Sequence, residues 1–311
     1  MSSLPADNSC VWIPGPWEHR LVTANGAQFH LAYAGSHSTR TPLVLFVHSY
    51  PEYWYAWRHQ IEPVARAGYE VAAVDLRGVG GSDKTPSVQS GPELAQDLIS
   101  LTESLGASSA VIVAAGSNAA LGWAAAAMAP DIITGLVTVA SPHPLGLRHL
   151  GRGIRPRGLL GLLTSRLGNR SPRALGDVRN MRRLLLEWSA PHSHGAAGEA
   201  EQYAAAMRLP EAATSAVEQL RWTATWRRRP SGKAWRDILS TPVDAPVWAV
   251  RGLADRMITE RAWADDRSFA TGSYRLIAVP GAGHFIPEES PREFTNIVLD
   301  FLSQLERSAR R

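Results

Sequence analysis

Two short runs of apolar, mostly β-branched residues, Leu43–Val47 and Val71–Val74, are bounded by turn-forming residues, a pattern that predicts strands buried on both faces. Similar runs recur at residues 111–113, 136–139, 247–250 and 274–279. Between them, Leu94, Leu98, Leu101 and Leu105 repeat at helical spacing within residues 92–105, and residues 119–128 read as a helix with a small-residue face. Strands alternating with helices in this way predict an α/β fold, a mostly parallel central sheet covered by helices on both faces. The middle of the chain differs. Residues 142–242 hold no convincing strand, whereas 181–188 and 199–226 have helical periodicity. The expected organisation is a core domain made of residues 1–141 and 243–311, with a helical cap of residues 142–242 inserted into it.

The composition agrees with a globular chain. Of 311 residues, 45% are hydrophobic and 19% charged, and the mean hydropathy is −0.14, enough apolar material for a substantial core. Cys10 is the only cysteine, so no intrachain disulfide or thiolate metal site can form, and a cytoplasmic location is expected. No stretch approaches the ~20 apolar residues of a membrane span, and the first twenty residues lack a basic segment leading into an apolar run. Neither membrane insertion nor secretion is expected.

Basic residues number 32 against 28 acidic, a net charge of +4, and only Lys84 and Lys233 among them are lysines. The arginines are scattered, and binding nucleic acid would need a contiguous basic face. The arginine-dense stretch 148–183 is the one suggestive region, and it reads as a solvated helical surface. No nucleic-acid partner is expected. The sequence has no Gly-x-Gly-x-x-Gly following a strand, no Walker loop and no metal-ligand spacing of His, Asp and Glu, so no cofactor and no metal are expected either.

Chemistry-bearing residues follow the strand runs. Leu43–Val47 leads into His48-Ser49-Tyr50-Pro51-Glu52, with Trp54, Trp57 and Arg58 beyond. Residues 71–74 lead into Asp75-Leu76-Arg77-Gly78-Val79-Gly80-Gly81-Ser82-Asp83, a turn with a structural role expected for Arg77 as an ion-pair partner. Residues 247–250 lead to Asp255, and 274–279 to Gly281-Ala282-Gly283-His284. In this order the motifs resemble the α/β-hydrolase superfamily, in particular its capped epoxide hydrolase and haloalkane dehalogenase branch, over roughly residues 20–305. The resemblance implies the α/β-hydrolase fold and a nucleophile–acid–histidine triad.

Two of the three triad positions are filled. Asp255 can orient His284, a neutral imidazole that takes up a proton and is stabilised by the carboxylate once charged. The resemblance puts the nucleophile on the elbow after residues 111–113, where the sequence reads Ala114-Ala115-Gly116-Ser117-Asn118-Ala119. Aligning without gaps from Leu105-Gly106 upstream, or back from Pro130 downstream, places Gly116 at that position. Glycine has no side chain to attack with. The alternative is a strand one residue longer, which would present Ser117 as a serine nucleophile, although a one-residue slip turns each side chain to the opposite face. The His48-Ser49-Tyr50-Pro51 turn resembles the family's His-Gly-x-Pro oxyanion loop with Ser49 in place of glycine, so the backbone N–H groups of Tyr50 and Ser117 are the expected oxyanion donors.

The cap departs from the family as well. The position of the ring-opening tyrosine is Leu220, and residues 145–157 contain no tyrosine; Tyr203 is expected to pack. Eleven tryptophans are present. Trp54, Trp57, Trp123, Trp188, Trp222 and Trp226 fall near motifs that border the cleft in the family, against a bland alternative of core packing for at least half of them. The expected substrate-binding set is His48, Trp54, Trp123, His143, Trp188 and Leu220. The expected function is acid–base catalysis by His284 and Asp255 on a hydrophobic, flat or polycyclic small molecule: cyclisation, elimination, isomerisation or attack by activated water, in secondary metabolism. A serine hydrolase using Ser117 and a non-catalytic ligand binder remain open, as does a monomer or a homodimer.

Overall fold

A computed structural model describes residues 7–37, 41–85, 90–146 and 172–309, and the side chains of all of these except residue 309. Eight strands form one sheet: β1 (Glu18–Ala24), β2 (Ala27–Ala34), β3 (Leu43–Val47), β4 (Val71–Val74), β5 (Ala110–Ala115), β6 (Ile133–Val139), β7 (Val247–Gly252) and β8 (Tyr274–Val279). Their order is β1-β2-β4-β3-β5-β6-β7-β8. From β4 to β8 every pairing is parallel, and β1 and β2 add an antiparallel edge.

The apolar strands are buried on both faces because alternate residues enter different cores. Val44 and Phe46 of β3 pack with Val111 and Val113 of β5 and with Phe294, Val298 and Phe301 of the C-terminal helix. Leu43, Leu45 and Val47 pack the other way, with Ile112 and with Leu94, Leu98 and Leu101 of α2 (Gly91–Ser104). Helix α2 begins where Ser90 N donates to Glu93 Oε2 at 2.8 Å. Helices α1 (Arg58–Arg66) and α3 (Ala119–Met128) complete the α/β arrangement on opposite faces.

Two strands were absent from the sequence-based expectation. β1 and β2 form a hairpin closed at the Ala24↔Ala27 pair, with Asn25 (φ 43°) and Gly26 (φ 73°) as its two central residues, the left-handed pair that suits a two-residue turn. The Asp75–Asp83 turn braces this hairpin. Arg77 makes a two-pronged ion pair to Asp97 at 2.9 and 2.6 Å and donates to the Asn25 carbonyl.

Between β6 and β7 the described residues form helices: Val178–Trp188, Ala200–Met207, Ala212–Thr225 and Gly232–Ser240 are the longer ones. The sequence expectation for residues 148–171, including the first part of the arginine-dense stretch, lies outside the described residues. Among the described residues no helix is long and apolar enough to cross a membrane.

Candidate active site

The parallel strands end side by side, with Val47 of β3 opposite Ala114 of β5 and Val139 of β6 opposite both Ala115 and Val250. Loops at their carboxyl ends therefore converge, the usual place for a ligand in an open α/β sheet. Four such loops carry Ser49 and Tyr50, Gly116 and Ser117, Asp255, and His284.

His284 is held firmly. Its Nδ1 lies 3.1 Å from Asp255 Oδ2, while Asp255 Oδ1 accepts from Met257 N at 2.6 Å and Ile258 N at 3.1 Å. Both side chains are buried. With Nδ1–H donated to the carboxylate, Nε2 is the acceptor. Among the described residues no side chain hydrogen-bonds Nε2, the Ser117 hydroxyl included. The loop is fixed by Glu289, a residue that the motifs did not single out. Its carboxylate accepts from the backbone N–H groups of Ala190, Gly283 and Phe285 at 2.8–3.0 Å, and His284 N donates to the Trp188 carbonyl at 3.1 Å. Those contacts tie the histidine loop to the end of the Val178–Trp188 helix.

At the end of β5 the chain bends sharply. Gly116 has φ +52°, in the left-handed region that favours glycine, and Ser117 and Asn118 complete a single turn into α3. Asn118 locks this bend to the neighbouring loop by donating to the His48 carbonyl at 2.8 Å. A Cβ built on Gly116 would lie 3.3 Å from His284 Nε2, but also 1.9 Å from Ser49 Oγ and 2.8 Å from Ser49 Cβ. The residue beneath the imidazole is therefore glycine, and the Ser49 side chain fills the place its Cβ would take.

The backbone N–H groups of Tyr50 and Ser117 lie in the two loops beside that point. The hydrogen bonds closing these turns come from Glu52 N, to the Ser49 carbonyl, and from Ala119 N, to the Gly116 carbonyl, not from either of the two. Burial pushes the Tyr50 phenol well above its ordinary value, so it stays protonated and able to donate.

Above the loops is a cavity of about 200 Å³, enclosed between the sheet's carboxyl edge and the helical segment. Trp188, Leu220, Trp222, Trp226 and Trp235 line its apolar wall, with Ser49, Tyr50, Gly116, Ser117 and His284 at its floor. Of the expected binding residues, Trp188 and Leu220 reach it. Four do not. Trp54 is buried beneath the N-terminal segment, its ring N–H donating to the Val11 carbonyl at 2.8 Å and its ring in edge-to-face contact with Trp17 and His19. Trp57 likewise packs in the core, on Phe46 and Phe294. Trp123 sits edge-on to His143, which stacks on Phe269 at 3.7 Å, so both belong to the packing beneath the cavity wall. His48 lies behind the oxyanion-type loop: Nδ1–H donates to the Ser49 carbonyl at 2.9 Å and Nε2 accepts from Leu76 N at 3.2 Å, leaving neither nitrogen for a ligand. Trp235 was missed, since helical periodicity tells which face is apolar but not what that face covers. Tyr203 is fully buried and packs edge-on against Tyr53.

His143 has a pH-sensitive neighbour. Its backbone N–H donates to Asp266 Oδ1 at 2.9 Å, and burial pushes the Asp266 carboxyl up to about 7. The folded chain thus keeps that proton at pH values where an unfolded aspartate, with its ordinary pKa of about 3.9, has lost it. Stability is accordingly present below that unfolded value and declines as pH rises through about 7. Asp266→Asn is expected to remove this decline, seen as urea midpoints that fall less than those of the wild type between pH 5 and 8, two values bracketing about 7. Equal slopes for the two proteins would contradict the assignment.

Comparison with known proteins agrees with this fold. A family model described as alpha/beta hydrolase fold matches residues 42–291. The chain is 28% identical over 326 residues to epoxide hydrolase A of Mycobacterium tuberculosis, covering 92% of this chain and 98% of that protein. It is 27% identical to epoxide hydrolase 3 of Xenopus tropicalis, covering 90% of this chain and 76% of that one. Among solved structures, epoxide hydrolase A from Mycobacterium thermoresistibile superposes with a TM-score of 0.74 at 25% identity, covering 92% and 98% of the two chains. With the family model spanning most of its length, this chain belongs to the alpha/beta hydrolase fold family and is similar to epoxide hydrolases.

Proposed function

We propose that this protein is an atypical α/β-hydrolase-fold enzyme that works by proton transfer at His284, oriented by Asp255, without a covalent nucleophile. Gly116 occupies the nucleophile position of the fold, and the helices between β6 and β7 act as the cap. The substrate is a hydrophobic small molecule, flat or polycyclic, received by Trp188, Leu220 and the tryptophans beside them. His284 Nε2 takes up or returns a proton, and the N–H groups of Tyr50 and Ser117 stabilise oxygen that becomes negative. Cyclisation, elimination, isomerisation and attack by activated water all fit such a site, and secondary metabolism is a fitting setting.

The observation that carries this reading is the position of Gly116: a Cβ there would be 3.3 Å from His284 Nε2, yet residue 116 has none. Covalent attack from residue 116 would need a side-chain atom there, and proton transfer at His284 does not. Leu220, which lines the cavity wall, is also the position where the resemblance implies an epoxide-opening tyrosine. The test is Ser117→Ala in a turnover assay over a panel of hydrophobic substrates. Because only the backbone N–H of Ser117 is used and alanine keeps it, kcat/KM is expected to stay close to that of the wild type. A loss as large as that of a deleted nucleophile, about 10³-fold or more, would assign the attack to Ser117 instead.

A further inference from the structure

We infer that Ser49 and His284 together hold a water molecule over Gly116, and that Ser49 is thereby a second catalytic residue of the acid–base site. The inference rests on the reading that Gly116 leaves the site without a nucleophile. Ser49 stands in the oxyanion-type loop at a position where the resemblance implies glycine, so the chain has lost a side chain at residue 116 and gained one at residue 49. The two changes meet in space. Ser49 Oγ lies 1.9 Å, and His284 Nε2 3.3 Å, from the point where a Cβ on residue 116 would sit. The two atoms can be no further apart than those two distances together, so one oxygen atom can hydrogen-bond both.

The loop fixes the Ser49 backbone. Its N–H donates to Glu52 Oε2 at 3.3 Å, and its carbonyl accepts from both Glu52 N and His48 Nδ1 at 2.9 Å. The hydroxyl proton is directed at the Tyr50 carbonyl, 3.4 Å away, which turns the Oγ lone pairs to other donors. His284 Nε2, with Nδ1–H given to Asp255, is also an acceptor. A water donating one hydrogen to Oγ and the other to Nε2 satisfies both acceptors and keeps its own lone pairs for the cavity. That water is the species whose proton His284 exchanges.

Crystal structures at near-atomic resolution of the wild type, Ser49→Ala and Ser49→Thr test the assignment. A water within hydrogen-bonding distance of both Ser49 Oγ and His284 Nε2 is expected in the wild type. It should persist in Ser49→Thr, which keeps a hydroxyl on the same carbon, and be lost in Ser49→Ala. Absence of that water from the wild type, or its retention in Ser49→Ala, overturns the inference. Either of those results leaves the proton-transfer reading standing, whereas full turnover without the His284 imidazole would sink that reading whatever the water does.

Discussion

Replacing His284 by alanine is expected to reduce kcat/KM by about 10²- to 10⁴-fold, the usual worth of a general acid or base, on whatever substrate the protein turns over. Neither His48 nor His143 can substitute for it. His48 spends both ring nitrogens on backbone groups, and His143 is stacked on Phe269 with burial pushing its imidazole down to about 3, so neither can accept a proton in the cavity. Asp255→Asn should fall in the same range, because an amide cannot stabilise the imidazolium and can invert the ring's tautomer. Asp255 also accepts two backbone N–H groups, so the asparagine variant needs a melting curve to separate a displaced loop from a lost charge. His284→Gln, which keeps most of the buried volume, should be as inactive as the alanine variant while melting close to the wild type. Retention of more than about a tenth of the wild-type activity in either His284 variant would remove the imidazole from the mechanism.

The largest expected change in stability comes from placing a side chain at residue 116. Gly116→Ala puts a Cβ on a left-handed backbone, at about 1–2 kcal/mol, and drives it into Ser49 Oγ and Cβ, which adds an overpacking cost of about 1–3 kcal/mol. A total of about 2–5 kcal/mol is expected from these two effects. Ser49→Gly removes both atoms of the clash but leaves the backbone strain. In a double-mutant cycle the second substitution should therefore recover about 1 kcal/mol or more of the loss. Chemical denaturation of the four proteins measures that coupling. Strict additivity would mean that Ser49 does not fill the place beneath the imidazole.

Much of the architecture can be read from apolar runs, and the reasons are local. β3, β4 and β5 are buried along their whole length and appear as short uninterrupted apolar runs, whereas Thr138 in β6, Arg251 in β7 and Arg275 in β8 leave runs that are still mostly apolar. The β1–β2 hairpin escaped notice because β2 carries polar residues on buried positions. His30 is fully buried yet bonds Asp75 Oδ2 at 2.8 Å and His19 at 3.0 Å, which interrupts the hydrophobic alternation. Asn25-Gly26 between two β-prone stretches was the signal available.

The candidate site was legible to a different depth. Asp255 and His284 follow strand runs in a familiar order, and their contact is a direct result of parallel topology. The tryptophans could not be sorted by motif, because proximity along the chain to a cleft-forming segment does not say which way an indole points: Trp54 turns under the N-terminal segment and Trp235 turns into the cavity. The meeting of Ser49 with Gly116 joins loops after two different strands. The β3–β5 pairing brings them together, so sequence reading could note Ser49 and Gly116 separately without seeing that the serine side chain lies where a Cβ on residue 116 would sit.

Peptide mass spectrometry after treatment with a fluorophosphonate probe most directly separates proton transfer from covalent attack. Under conditions that fully label a serine esterase, this protein should carry no adduct on any serine of the cavity, Ser49 and Ser117 included, since neither hydroxyl is hydrogen-bonded to His284 Nε2. A stoichiometric adduct on Ser117, abolished by His284→Ala, would show an ordinary nucleophile at work and contradict the account.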